Sequence, residues 1–79
     1  MYFAKDEIIE LNDNRKYLII DTVVSEDEIY YKVQQLNDEE NDIEGEPIFI
    51  SANNKEGKIY INDNLTVDQL VKIEELLQD

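Results

Sequence analysis

The stretch from Lys16 to Leu36 constrains this chain more than any other, because it reads as two consecutive strands joined by a short turn. Lys16–Val24 (KYLIIDTVV) is rich in β-branched and aromatic residues and holds no Gly or Pro. Both of its faces are largely apolar, which predicts a central strand covered on two sides. Ser25-Glu26-Asp27 then supplies turn chemistry. Glu28–Leu36 alternates, with Ile29, Tyr31 and Val33 on one face and Tyr30, Lys32 and Gln34 on the other. The pair predicts an antiparallel hairpin.

The other segments attach to that hairpin. Residues 6–11 carry Ile8, Ile9 and Leu11, then stop at Asn12-Asp13-Asn14, a strand followed by a turn. Residues 47–52 (PIFISA) and 58–62 (KIYIN) flank Asn53-Asn54-Lys55-Glu56-Gly57, which reads as a five-residue hairpin loop closed by a left-handed Gly57. Pro47 fits the first residue of an edge strand. Near the end, Thr66 and Gln69 have capping-box spacing, and Leu65 and Leu70 occupy the hydrophobic-staple positions, so a helix is predicted over about 67–78. Its apolar stripe comprises Val67, Leu70, Val71, Ile73, Leu76 and Leu77. The order βββββα gives one α+β domain over 1–79, a five-stranded antiparallel sheet or small barrel with one C-terminal helix. The expected core holds Ile19, Ile20, Ile29, Tyr31, Val33, Ile48, Ile50, Ile59, Ile61, Leu70 and Leu77.

Residues 37–46 (NDEENDIEGE) contain six acids and no cation, and so supply −6 of the chain's net −13. Such a run reads as a mobile loop. The excess of twenty acids over seven cations argues against direct nucleic-acid binding, which needs cations to displace phosphate counterions. It argues equally against anionic membrane surfaces. No apolar run approaches the roughly 20 residues of a membrane span. The acidic N-terminus lacks the features of a signal peptide, so a cytoplasmic location is expected. Ile, Asn, Lys, Tyr and Phe make up 32 of 79 residues, against six for Gly, Ala, Pro and Arg, the bias of an AT-rich bacterial or phage genome.

With no His and no Cys, the chain lacks the commonest general base, the thiolate nucleophile and the usual transition-metal ligands. Ser25 and Ser51 have no histidine to activate them, and Gly45 and Gly57 form no phosphate loop. Asp38, Glu40, Asp42 and Glu44 alternate as EF-hand ligands do, but Ile43 stands where that loop requires Gly and Phe49 where it requires Glu. The apolar-Asn-Asp triplets at Leu11, Leu36 and Ile61 fall where strands stop and read as turns. No enzyme activity, cofactor or metal site is expected.

From Asp6 to Val33 the pattern DEIIELNDNRKYLIIDTV…EIYYKV, with the acidic Leu-rich segment of residues 68–79, resembles small acidic uncharacterised proteins of low-GC Gram-positive bacteria and their phages. The resemblance covers about half the chain, rests on generic strand residues and implies no site. In size and charge alone the chain is also similar to phage inhibitors of bacterial defence nucleases.

These features together predict a non-catalytic acidic module that binds a protein partner with a basic surface. The sharpest form of that expectation is an inhibitor of phage or mobile-element type, occupying a basic nucleic-acid-binding site on its partner. Acids two apart on a strand recur every ~6.6 Å, comparable with neighbouring phosphates. The expected partner-binding residues are Asp38, Glu39, Glu40, Asp42, Glu44 and Glu46, with Tyr30 and Tyr60 as an aromatic alternative. The competing expectation is a structural or accessory subunit that homodimerises through a sheet edge or the helix.

Overall fold

The computed structural model describes residues 2–26 and 28–77. Five antiparallel strands follow chain order: β1 (Ile8–Glu10), β2 (Lys16–Val24), β3 (Ile29–Leu36), β4 (Ile48–Lys55) and β5 (Lys58–Asn62). They form a curled half-barrel, and β1 and β5 remain unpaired edges, so the sheet is open. One helix, α1 (Val67–Leu77), packs against it. Of the expected elements only Asp27 in the first turn and Gln78 at the helix end lie outside the described residues.

The β2–β3 hairpin carries one irregularity. Ile19 pairs with Val33 and Asp21 with Lys32, so Ile20 is an extra residue on β2. A one-residue shift moves every later side chain to the opposite face. Tyr17 and Ile19 therefore enter the concave core, whereas Val23 joins Tyr30 on the convex side. The apolar character of both β2 faces has this physical origin.

The concave core gathers Ile9, Leu11, Tyr17, Ile19, Tyr31, Val33, Ile50 and Ala52. The N-terminal segment straps it. Tyr31 Oη accepts hydrogen bonds from the backbone amides of Tyr2 (3.0 Å) and Phe3 (3.1 Å). The Phe3 ring meets Tyr31 edge-on at 5.2 Å. On the convex side the core is smaller: Val23, Tyr30 and Ile73, with Phe49 and Leu65 packed against them.

Several expectations need correction. β4 runs on through Asn53 to Lys55, and the β4–β5 connection is the two-residue turn Glu56-Gly57. Both residues have positive φ, 54° and 83°, the geometry that continues strand twist in a tight hairpin. Asn54 Oδ1 accepts from the Gly57 amide at 3.1 Å, so this Asn braces the turn from within the strand. Pro47 precedes an interior strand rather than an edge, since β4 pairs on both sides. Ile48, Ile59, Leu70 and Leu77, expected in the core, are exposed. Ile48 opens β4 and Ile59 lies on the unpaired edge strand, so both lack neighbours on one side. Ile20 and Ile61 are half-buried.

Candidate protein-docking surface

The helix start forms as its sequence dictates. Gln69 Oε1 accepts from the Thr66 amide at 2.8 Å, and Thr66 Oγ1 accepts from the Gln69 amide at 3.2 Å. Gln69 Nε2 also donates to Glu28 Oε2 at 2.9 Å, and the Tyr30 hydroxyl donates to the same oxygen at 2.7 Å. One carboxylate thus ties the first turn of α1 to the start of β3.

Beyond that tie the helix rests on a single side chain. Ile73 is its one buried residue among those described. The apolar platform beneath it is narrow, being bordered on the convex face by the polar side chains of Asp21, Lys32, Gln34 and Asn53. At 100° per residue, Val67, Leu70, Val71 and Leu77 share one flank, with Glu74 among them. They stay in solvent: Val67 is 75% exposed, Val71 48% and Leu70 44%. On the opposite flank Leu76 and Lys72 line a groove of about 520 Å³ with Val24, Ser25 and Glu26. A second cleft, about 390 Å³, lies between α1 and the sheet, lined by Glu28, Tyr30, Asn53, Asp68, Gln69 and Lys72.

The expected site residues separate. Tyr30 is 2% exposed beneath α1, so its ring serves the core and offers no surface to a partner. Tyr60 is 53% exposed on the edge strand. Alternation placed both rings opposite the isoleucines, but only the position of α1 decides which one is covered.

Residues 37–46 form a loop, but not an extended ladder of acids. Turns occupy most of it, with positive φ at Glu40 (60°) and Gly45 (69°). The phosphate-like spacing expected for Asp38, Glu40, Asp42, Glu44 and Glu46 is therefore absent, because it required strand geometry. The loop folds back on the end of β3: Ile43 bridges Leu36, and the Glu44 amide donates to Gln35 O at 2.8 Å. The buried Gln34 amide donates to the carbonyls of Glu44 and Gly45, both at 3.0 Å. Asn37 and Asn41 clasp each other at 2.7 Å. Much of the acidity is used locally, as Glu39 accepts from Asn41, Asp42 from the Ile43 amide and Glu44 from Gln35. Glu40 pairs with Lys16 at 3.8 Å, an exposed contact of little energetic weight. All six acids remain on the surface.

The remaining polar groups are structural. Ser25 Oγ donates to Glu28 O at 3.1 Å and accepts from the Glu28 amide at 3.2 Å, bracing the β2–β3 turn. Asp13 accepts from the Tyr17 hydroxyl at 2.9 Å. Burial and this bond to Asp13 raise the Tyr17 pKa. Desolvation pushes the Asp13 carboxyl up, but the Arg15 amide, the Tyr17 hydroxyl and the Arg15 charge together hold it below the usual carboxylate value. Among the described residues no cluster of three or more carboxylates is placed to hold a metal ion, and no helix is long and apolar enough to cross a membrane.

The sequence marks the helix stripe, but of its members Leu70 and Leu77, expected in the core, lie in solvent and Ile73 is buried instead. The surplus of six apolar residues on an eleven-residue helix was the available signal. A five-stranded sheet with polar residues on its outer face cannot cover them all. No protein-family model, curated protein or solved structure matches this chain.

Proposed function

We propose that this protein is a non-catalytic acidic binding module that docks a basic protein partner on the exposed flank of α1. The observation that carries this reading is the apolar surface of Val67, Leu70, Val71 and Leu77, left in water by a helix that buries only Ile73. An apolar patch rimmed by charge marks an interaction site. Here the charged residues of the helix are Asp68, Glu74 and Glu75 against Lys72, within a chain of net −13. Burial of the apolar flank supplies the affinity. The acidic field accelerates encounter with a cationic partner and rejects anionic ones.

Occupation of a nucleic-acid-binding site on the partner is one form of this activity. It rests on the overall charge. The exposed acids of residues 37–46 contribute to long-range attraction rather than to a phosphate-spaced contact.

The test is capture of binding proteins at low and high salt by the wild-type chain and by two variants. A partner held by wild type and lost by Val67→Ser/Val71→Ser at both salt levels supports docking on α1. Loss with Glu39→Gln/Glu40→Gln/Asp42→Gln instead would move the contact to the loop. Equal capture by all three chains would overturn the reading.

A further inference from the structure

We infer that the outer edge of β5 pairs with β5 of a second copy of this chain, joining two half-barrels into one continuous sheet. This inference is independent of docking on α1.

The two sheet edges differ. β1 is only three residues long, and the irregular Asp6–Glu7 segment before it bonds inward to Ile19 of β2. β5 has five residues, and among the described residues its backbone bonds only to β4. The helix does not screen it, since α1 packs over Val23 and Tyr30 of β2 and β3. Edge strands are ordinarily protected by proline, bulges, inward charges or lysines along the edge. The one lysine of β5, Lys58, stands at its turn end and leaves residues 59–62 without a charge. Of proline, bulge and inward charge β5 contains none, and Ile59 and Tyr60 are 45% and 53% exposed.

The geometry selects a register. The two-residue turn makes Lys55↔Lys58 a hydrogen-bonded pair, and such pairs alternate along an antiparallel ladder. The N–H and C=O groups of Ile59 and Ile61 therefore point away from β4, toward the open edge. A two-fold axis at Tyr60 places Ile59 opposite the other copy's Ile61, and Ile61 opposite its Ile59. All four pairs of outward groups are then satisfied. Tyr60 faces its own counterpart in a non-hydrogen-bonded pair, where side chains approach most closely.

Charge names a second copy as the occupant. In a chain with twenty acids, Lys58–Asn62 holds none and one lysine. The register sets Lys58 opposite the other copy's Asn62 and one step from its Asp63, so no like charges meet along the strand. The acidic loop joins β3 to β4, not β4 to β5. What opposes assembly is the long-range repulsion of two chains of −13, which salt screens. Dimerisation therefore strengthens with salt, whereas attraction to a basic partner weakens.

The test combines sedimentation mass with cross-linking. Raising concentration and salt should double the wild-type mass. Tyr60→Glu, which puts two carboxylates face to face at an exposed position, should return it to the monomer. Ile59→Pro should do the same by removing an outward N–H. Far-UV circular dichroism checks that each variant is folded. Because the chain has no cysteine, Tyr60→Cys reports directly. Its two Cα atoms would lie about 4.5 Å apart, within the roughly 4.4–6.8 Å of a disulfide. Oxidation should link this variant in high yield, and Asp38→Cys, as a control, should not be linked. A wild type that stays monomeric, a dimer that survives Tyr60→Glu, or equal cross-linking of both cysteine variants would each overturn the inference. Val67→Ser/Val71→Ser should leave the dimer mass unchanged, which separates this result from the fate of the α1 surface.

Discussion

The two faces of the sheet use the same kinds of residue to different ends. The concave face closes eight buried residues under the Tyr2–Phe3 strap. The convex face buries three, and the helix above it leaves most of its own stripe in water. Curvature accounts for part of the difference, since side chains converge inside a half-barrel and diverge outside it. The polar borders of the convex platform account for the rest. A face that packs well specifies the fold, and a face that packs thinly over apolar residues is free to serve a partner.

That contrast can be broken from either side. Tyr31→Ala should have the largest effect, about 3–5 kcal/mol by the cost of truncating a buried aromatic, and should leave a domain this small largely unfolded by chemical denaturation. Ile73→Ala should cost about 2–3 kcal/mol. If the faces are as unequal as described, helical circular dichroism should be lost before the sheet melts. Simultaneous melting of both would show that the convex core supports the sheet. Gln34→Ala should cost about 1–2 kcal/mol, because the Glu44 and Gly45 carbonyls lose their shared donor. Hydrogen exchange should then quicken in residues 37–46 before it does in β3.

Tyr17→Phe should cost about 0.5–1.5 kcal/mol and should change the pH profile of stability. Tyr17 has a raised pKa in the fold, so its contribution is complete below the ordinary tyrosine value and is lost as pH rises through the folded value. Asp13 has a lowered pKa, so its contribution is complete above the ordinary aspartate value and is lost as pH falls through the folded one. Denaturation midpoints of the variant should decline less at both extremes. The smallest effect belongs to Val67→Ser, within about 0.5 kcal/mol, since that side chain is already three-quarters in water. A loss comparable with that of Ile73→Ala would mean that the flank is covered in solution.

What the sequence made legible was local. The Thr66–Gln69 box, the alternation of β3 and the turn residues after β1 each act within a few positions, and each appears as expected. What it hid depended on distant partners. Nothing near Ile20 announces a bulge; the extra residue is tolerated because Val23 then meets Tyr30 and Ile73. Asn53 and Asn54 have turn chemistry, yet Glu56 and Gly57 alone reverse the chain, which leaves the asparagines free to remain in β4. The acids of residues 37–46 reveal the charge but not the backbone, because that segment folds through asparagine and glutamine amides as well as through its carboxylates.

The strands stand in space in the order in which they occur in the chain. Each new strand therefore needs to find only its immediate predecessor, and every closure but that over residues 37–47 spans a short loop of low entropic cost. Sheet growth is then a succession of hairpin zippings, a low-contact-order route that shortens the search for the native pairing. The strap and the helix fall outside this scheme, the Tyr2 amide reaching Tyr31 and Gln69 reaching Glu28 across 29 and 41 residues. Theirs are the contacts placed to form last, the strap and the helix closing on a sheet already assembled. In kinetic terms, mutations there should leave the refolding rate nearly unchanged and act through faster unfolding.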